Sequence, residues 1–384
     1  MWDKYSLANQ SNVILFVVNT PDFFLSHRLA LAVAAQRSGY DVHIATADGS
    51  DVELIQAQGF VHHVVPFLRS GQNPLNELST LLCLVKLFRR VKPSLVHLIT
   101  IKPVLYGGIA ARLVGVKSVV SAVSGLGTVF LAHSGAARLR RWLVTKLYHF
   151  AFKQKRLAVI FQNPDDRDLL LSLGVLIADQ TRMIRGSGVA LSDYPYVPEP
   201  EGKPVVVMAA RLLKDKGVFE FVEAARLLKQ HNLSIEMRLI GSPDPGNPTS
   251  VSQLELEQWA AEEHIELLGY RKDIAQQYAA ANIVCLPSYR EGLPKSLVEA
   301  AACGRAVVTT DVPGCRDAIT PNETGLLVPV KNAEALADAI EFFISSPNLR
   351  KRMGEAGRAL AEEAFAIEKI IKQHMDIYQE LLEP

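Results

Sequence analysis

The strongest constraint in this sequence is a rhythm that runs, stops and starts again. Short apolar runs alternate with longer amphipathic stretches: Val13–Val18, Asp41–Ala45, Val61–Val65, Leu95–Leu98, Ser118–Val123, Ala158–Phe161 and Arg182–Ile184 on the one hand, Leu25–Arg37, Leu75–Val91 and Arg138–Phe152 on the other. Near-continuous apolar strands separated by helices predict parallel sheets covered on both faces. Right-handed crossovers then give a doubly wound domain. The rhythm breaks at Tyr194–Pro204, where four prolines fall in 11 residues, and resumes with Val205–Ala210, Ile235–Ile240, Ile265–Leu268, Ile283–Leu286 and Ala306–Thr309. The expected fold is therefore α/β, with two tandem doubly wound Rossmann-like domains facing across a cleft. Residues 1–194 form the first, 195–204 a linker and 205–365 the second. Residues 366–384 read as one long amphipathic helix whose place is open; packing back across the first domain is one option. Ligands are expected beyond the C-terminal ends of the strands, inside the cleft.

A net charge of +1 over 384 residues conceals two unlike halves: residues 1–200 carry +8 and residues 201–384 carry −7. No acid lies between Glu77 and Asp165, an interval holding 14 Lys and Arg. Such an imbalance points the first half toward an anionic surface. The stretch Arg138–Arg156 adds seven cations interleaved with Trp142, Tyr148, Phe150 and Phe152. Its composition suits a helix lying on anionic lipid, through Arg138, Arg140, Arg141, Trp142 and Lys146. An amphipathic helix packing its aromatics on the sheet is the competing reading. Ser118–Ala132 is uncharged but only 15 residues long and rich in Ser and Gly, short of a membrane span. Met1–Asn12 has no signal-peptide pattern, and Cys83, Cys285, Cys303 and Cys315 form no CxxC, so a reducing, cytoplasmic setting is expected.

Three strand-end segments of the second domain carry chemistry. In Met208–Gly217, Arg211 stands at a strand tip and Lys216-Gly217 opens the next helix. Two cations beside a helix N-terminus suit a diphosphate. In Pro287–Glu299, Glu291 precedes a glycine turn and Glu299 lies eight residues on, in the helix that follows. Carboxylates are acceptors for pairs of sugar hydroxyls. The backbone N–H groups of Gly292, Leu293, Lys295 and Ser296, around Pro294, lie where an anion can be held. Tyr270 and Arg271, after Leu267-Leu268, can flank a nucleobase or simply form a turn. In the first domain, His27, Arg28, Lys102, Ser124 and Gly125 fall on strand-end loops. Arg28 and Lys102 are candidates for a diphosphate, and His97 reads better as a core residue. Asp166-Arg167-Asp168 spells a DxD, but it follows Asn163-Pro164, which reads as a helix cap with acids in its first turn.

Together these motifs resemble the retaining GT-B glycosyltransferases of family 4. The resemblance rests on Arg211…Lys216-Gly217, Leu239-Ile240-Gly241, Leu268-Gly269, Pro287-Ser288, Glu291-x7-Glu299, Glu299–Gly304 and Thr324–Leu327. It is dense from Val205 to Pro329 and weaker but co-linear from Val13 to Val189. Tyr289–Glu299 and Thr310–Arg316 resemble more narrowly the enzymes that add N-acetylhexosamines to undecaprenyl-diphosphate-linked sugars. The resemblance implies that Arg211 and Lys216 bind the donor diphosphate, with Gly241 at the neighbouring strand end. It implies that Glu299 binds the ribose hydroxyls, and that Glu291 contacts the transferred sugar with the Gly292–Lys295 backbone. It also implies transfer from a UDP-sugar to a polyprenyl-diphosphate-linked acceptor in polysaccharide (O-antigen type) synthesis at the inner face of the cell membrane, with no metal and no further cofactor. Two departures stand out. Leu293-Pro294-Lys295 replaces the usual residues after Glu-Gly, and Ser124–Gly127 stands where many relatives carry a His.

A sugar-nucleotide epimerase of the same plan is an alternative, as is a non-enzymatic basic scaffold on membrane. The scaffold leaves the Glu291/Glu299 pair unexplained. Nucleic acid is disfavoured because no recognition motif accompanies the charge. The sequence leaves the oligomeric state open.

Overall fold

A computed structural model describes residues 12–68, 74–126 and 135–383. It contains two parallel sheets. The first has seven strands, β1 Val13–Val17, β2 Asp41–Thr46, β3 Val61–Val64, β4 Leu95–Ile99, β5 Ser118–Val123, β6 Arg156–Phe161 and β7 Thr181–Met183. The second has six, β8 Val205–Ala209, β9 Glu236–Ile240, β10 Glu266–Gly269, β11 Ile283–Leu286, β12 Ala306–Thr310 and β13 Gly325–Val328. Their spatial orders are β3-β2-β1-β4-β5-β6-β7 and β10-β9-β8-β11-β12-β13. In each, the order reverses beside the first strand, between β1 and β4 and between β8 and β11. That reversal opens a crevice at the strand C-termini. The inner strands β4, β5, β11 and β12 are buried at every position, as sheets clad in helices on both faces require.

Three apolar clusters follow from this arrangement. One fills the second domain. The other two lie on opposite faces of the first sheet, and one of them contains Ile370, Ile377, Tyr378 and Leu381 from the last helix, Ile367–Leu382. That helix therefore completes the core of the first domain although it follows the second in sequence. Its end is held by Ser118 Oγ, which donates to the Leu381 carbonyl at 2.7 Å. At its start, Val189 N donates to Phe365 O at 2.9 Å and Ile367 N to Val189 O at 3.0 Å. The two passages of the chain between the domains are thus bonded to one another.

The predicted helix Leu25–Arg37 is two helices, Pro21–His27 and Leu29–Arg37, broken where Arg28 adopts φ −133° and ψ −9°. His27 ends the first of these helices, whose first turn starts at Pro21. Strand β13 was not anticipated. It is four residues long and begins with Gly325, so it offers little alternation or β-propensity. Among the described residues no helix is long and apolar enough to cross a membrane. Cys285, Cys303 and Cys315 are buried and Cys83 is half-buried, all as free thiols.

Candidate active site at the cleft

The second-domain side of the site is assembled at the ends of β8 and β11. Beyond β8, Arg211 leads into a single tight turn, Lys214–Lys216, and Gly217 caps the helix Val218–Gln230. Gly217 takes φ +75° with the Pro287 carbonyl packed against it, so a side chain there meets both backbone strain and a clash. This glycine lets the Lys216 turn lie on the loop after β11. There Lys216 Nζ pairs with Glu291 Oε1. Ser288 Oγ donates to the same oxygen at 2.7 Å and is itself buried. Glu291 is thus held from two sides just before the helix Lys295–Ala302, whose free N-terminal N–H groups favour an anion. Pro294 is the N-cap of that helix.

Glu299 lies on the buried face of the same helix. Its Oε1 accepts from Tyr194 Oη at 2.5 Å and lies 3.3 Å from Lys295 Nζ. Lys295 Nζ also donates to the Ser26 carbonyl of the first domain, at 3.2 Å. Arg211 is more than half exposed and bonds Asp244 at 3.0 Å. Gly241 sits at the end of β9 against the Ala210 carbonyl. Tyr270 is exposed, and Arg271 forms a two-point contact with Asp273 at 2.8 and 2.7 Å.

The two domains touch at the Glu291–Leu293 loop. A Cβ on Gly292 would run into the Ser124 carbonyl and lie 2.7 Å from Gln162 Oε1. Asn163 Nδ2 donates to the Gly292 carbonyl at 2.8 Å. Asp166 is buried and pairs with Arg290, and its own N–H bonds Asn163 Oδ1 at 2.8 Å. The Asp166-Arg167-Asp168 triplet is accordingly a helix start, with its first acid committed to the domain contact. Ser124 and Gly125 lie against the Glu291–Gly292 backbone; Gly127 lies outside the described residues.

On the first-domain side, His27 stacks on Phe23 with ring centres 4.1 Å apart and bonds Ser26 Oγ at 2.7 Å. Burial, then the charges of Arg28 and Lys295, push its pKa down to about 3, so the ring is neutral. Arg28 is 3% exposed, and burial lowers its pKa to about 10. It donates to the His27 carbonyl at 2.9 Å. His97 is a core residue, its Nδ1 2.6 Å from the Tyr378 hydroxyl. Lys102 is held by Glu77 at 2.8 Å and by the Leu68 carbonyl at 2.9 Å, so its charge is already compensated within the domain.

The helix Gly135–Phe152 divides the two readings of its sequence between its faces. Tyr148 and Phe152 are buried in the core. Trp142, Leu139 and Leu143 are exposed, beside exposed Arg138 and Lys146, with half-buried Arg141. The side chain of Arg140 lies outside the described residues.

Residues 195–360 match the family model for glycosyl transferases group 1, and residues 13–163 match that for glycosyl transferase 4-like proteins. The chain is a glycosyltransferase. Over 382 residues it is 28% identical to an N,N'-diacetylbacillosaminyl-diphospho-undecaprenol alpha-1,3-N-acetylgalactosaminyltransferase of Campylobacter jejuni, covering 94% of this chain and 98% of that one. It is 23% identical to an Escherichia coli UDP-Gal:alpha-D-GlcNAc-diphosphoundecaprenol alpha-1,3-galactosyltransferase, over 83% of each. Among solved structures, a glycosyltransferase from Rickettsia africae superposes with a TM-score of 0.78 at 20% identity, covering 97% and 99% of the two chains. Anabaena HepE in complex with UDP-glucose gives 0.75 at 20%, covering 96% and 99%. These likenesses establish the GT-B architecture of this glycosyltransferase.

Residue patterns pointed to Lys216, Glu291 and Glu299, but not to the partners that hold two of them. Ser288 stood only as part of a Pro-Ser match. Tyr194 marked only the start of the linker, because nothing local in the sequence reveals a contact spanning 105 positions.

Proposed function

We propose that this glycosyltransferase moves an N-acetylhexosamine from a UDP-sugar to a saccharide carried on a polyprenyl diphosphate, with retention at the anomeric carbon and without a metal. The observation that carries this reading is the convergence of Lys216, Ser288 and Glu291 on a helix N-terminus where the two domains meet. In it, Lys216 and Arg211 leave their carboxylate partners to hold the donor diphosphate. Charge grows on the leaving diphosphate as the glycosidic bond breaks, so cations and N–H groups already aimed there favour the transition state over the bound donor. Glu291 holds the transferred sugar and Glu299 the ribose; Tyr270 and Arg271 flank the base.

The acceptor side of the proposal draws on the Campylobacter and Escherichia relatives, whose names specify undecaprenyl-diphosphate-linked acceptors. His27, Arg28, Ser124 and Gly125 face that acceptor, and the exposed Leu139, Trp142 and Leu143 with their flanking cations rest on anionic lipid at the cytoplasmic face of the membrane. Each cation near such a surface contributes roughly 1 kcal/mol.

Calorimetry with a panel of UDP- and GDP-sugars tests the donor reading. Binding of a UDP-sugar by the wild type, weakened in Lys216→Ala and Glu299→Ala, supports it; equal binding by all three proteins defeats it. Donor turnover without acceptor would identify an epimerase instead. Loss of transfer in EDTA defeats the metal-free reading, and the product's anomeric configuration by NMR tests retention.

A further inference from the structure

The Glu299 carboxylate is oriented by a residue of the interdomain segment. Tyr194 Oη donates to Glu299 Oε1 at 2.5 Å, and Lys295 Nζ approaches the same oxygen at 3.3 Å. Both contacts fall on Oε1, which leaves Oε2 as the oxygen for a ligand. The backbone of Tyr194 is clamped to the same helix. Arg358 Nη1 donates to the Tyr194 carbonyl at 2.8 Å and to the Ala302 carbonyl, at the far end of Lys295–Ala302, at 2.7 Å. Phenol and carboxylate are therefore fixed relative to one another from both ends of one short helix. Burial first, and then the Glu299 charge, raise the phenol's pKa, so Tyr194 remains a hydrogen-bond donor across the working pH range. Tyr194 lies just before the segment matched by the group 1 family model, and outside the other.

We propose that Tyr194 is a positioning residue of the donor site, whose hydroxyl fixes the Glu299 carboxylate in the orientation that accepts the ribose hydroxyls of the nucleotide. The inference rests on the proposed role of Glu299. A buried carboxylate with one strong donor on one oxygen loses rotational freedom, so its other oxygen is presented without an ordering cost at the moment of binding. Removing the hydroxyl leaves the fold and the cleft charges in place and frees the carboxylate to turn.

The test titrates wild type, Tyr194→Phe, Glu299→Ala and the double variant with UDP and with 2′,3′-dideoxy-UDP by calorimetry, alongside donor kinetics. Wild type should prefer UDP. Tyr194→Phe should weaken UDP about tenfold, the scale of one well-placed hydrogen bond, and leave the dideoxy nucleotide unchanged. The donor KM should rise by the same factor with kcat within about twofold. In the Glu299→Ala background the tyrosine change should add nothing. Equal loss for both nucleotides would mark Tyr194 as merely structural and overturn the proposal. Full preference for UDP in Tyr194→Phe would overturn the tyrosine step alone. Failure of the wild type to distinguish the nucleotides would defeat the ribose role of Glu299, and the proposal with it.

Discussion

The two sheets share one strand order but hold charge differently at their cleft-facing ends. On the second domain, the cations Lys216, Lys295 and Arg211 each meet a carboxylate: Glu291, Glu299 and Asp244. On the first, Lys102 meets Glu77, but among the described residues Arg28 is buried with its Nε unpartnered, as are Asn19 Oδ1, Thr100 Oγ1 and Ser124 Oγ. Unpaired buried polar groups cost more than paired ones. In the proposed reading these second-domain pairs are exchanged for ligand contacts, while Glu220 Oε2 and Arg290 Nε are buried without a partner among the described residues. In the same reading the first domain, which would take the acceptor, carries unspent hydrogen-bonding capacity for a ligand or ordered water to complete.

The widest gap between the halves should appear with Lys216→Ala. It removes the cation expected at the leaving diphosphate, so kcat should fall about 10²–10³-fold; steady-state transfer measures it. Gly292→Ala attacks the place where the halves meet. Its methyl would push the Ser124 loop away, and a misplacement near 1 Å costs up to about 10²-fold in rate, with the thermal midpoint little changed. Arg28→Met tests the unspent side. It removes a buried cation with no carboxylate partner among the described residues, so stability should hold or rise, while the acceptor KM rises about tenfold and the donor KM stays put. Should the donor KM move instead, the assignment of halves is wrong.

Acidification gives the gentlest test. His374 is buried and its pKa is pushed down to about 3, chiefly by burial, while His97 is held well below its ordinary value. The folded values lie below the unfolded value of about 6.5. Neutral-imidazole stability is therefore complete above pH 6.5 and is lost as pH falls below it, by about 1.4 kcal/mol per unit for each group. The second domain's His231 and His264 are not buried. Denaturant unfolding between pH 7.5 and 5 should show the slope, and His374→Phe should flatten it by one group's share.

Much of this fold was readable because parallel strands buried on both faces leave unbroken apolar runs. β8 and β11 are such runs; Lys216 follows the first, and Glu291 and Glu299 follow the second at motif spacing. Less was readable where a side chain's role depends on a distant partner. Lys102 looked like a free cation until Glu77, 25 positions away, was seen to hold it. His97 and His374 are 277 positions apart in sequence, with ring centres 5.6 Å apart in the fold. Local periodicity could place the last helix as a helix, but not in the core of the first domain.

That last helix limits how this enzyme's halves can be recombined. Because the chain crosses from one domain to the other and back, and the two passages are joined at Val189 and Ile367, the second domain is an insertion within the first. A chimera cut only after Tyr194 would bring a foreign final helix to the sheet that Tyr378 and Leu381 now cover, leaving Phe16 and Ile160 against unmatched side chains. A viable exchange needs two cuts, returning Ile367–Leu382 to its own sheet.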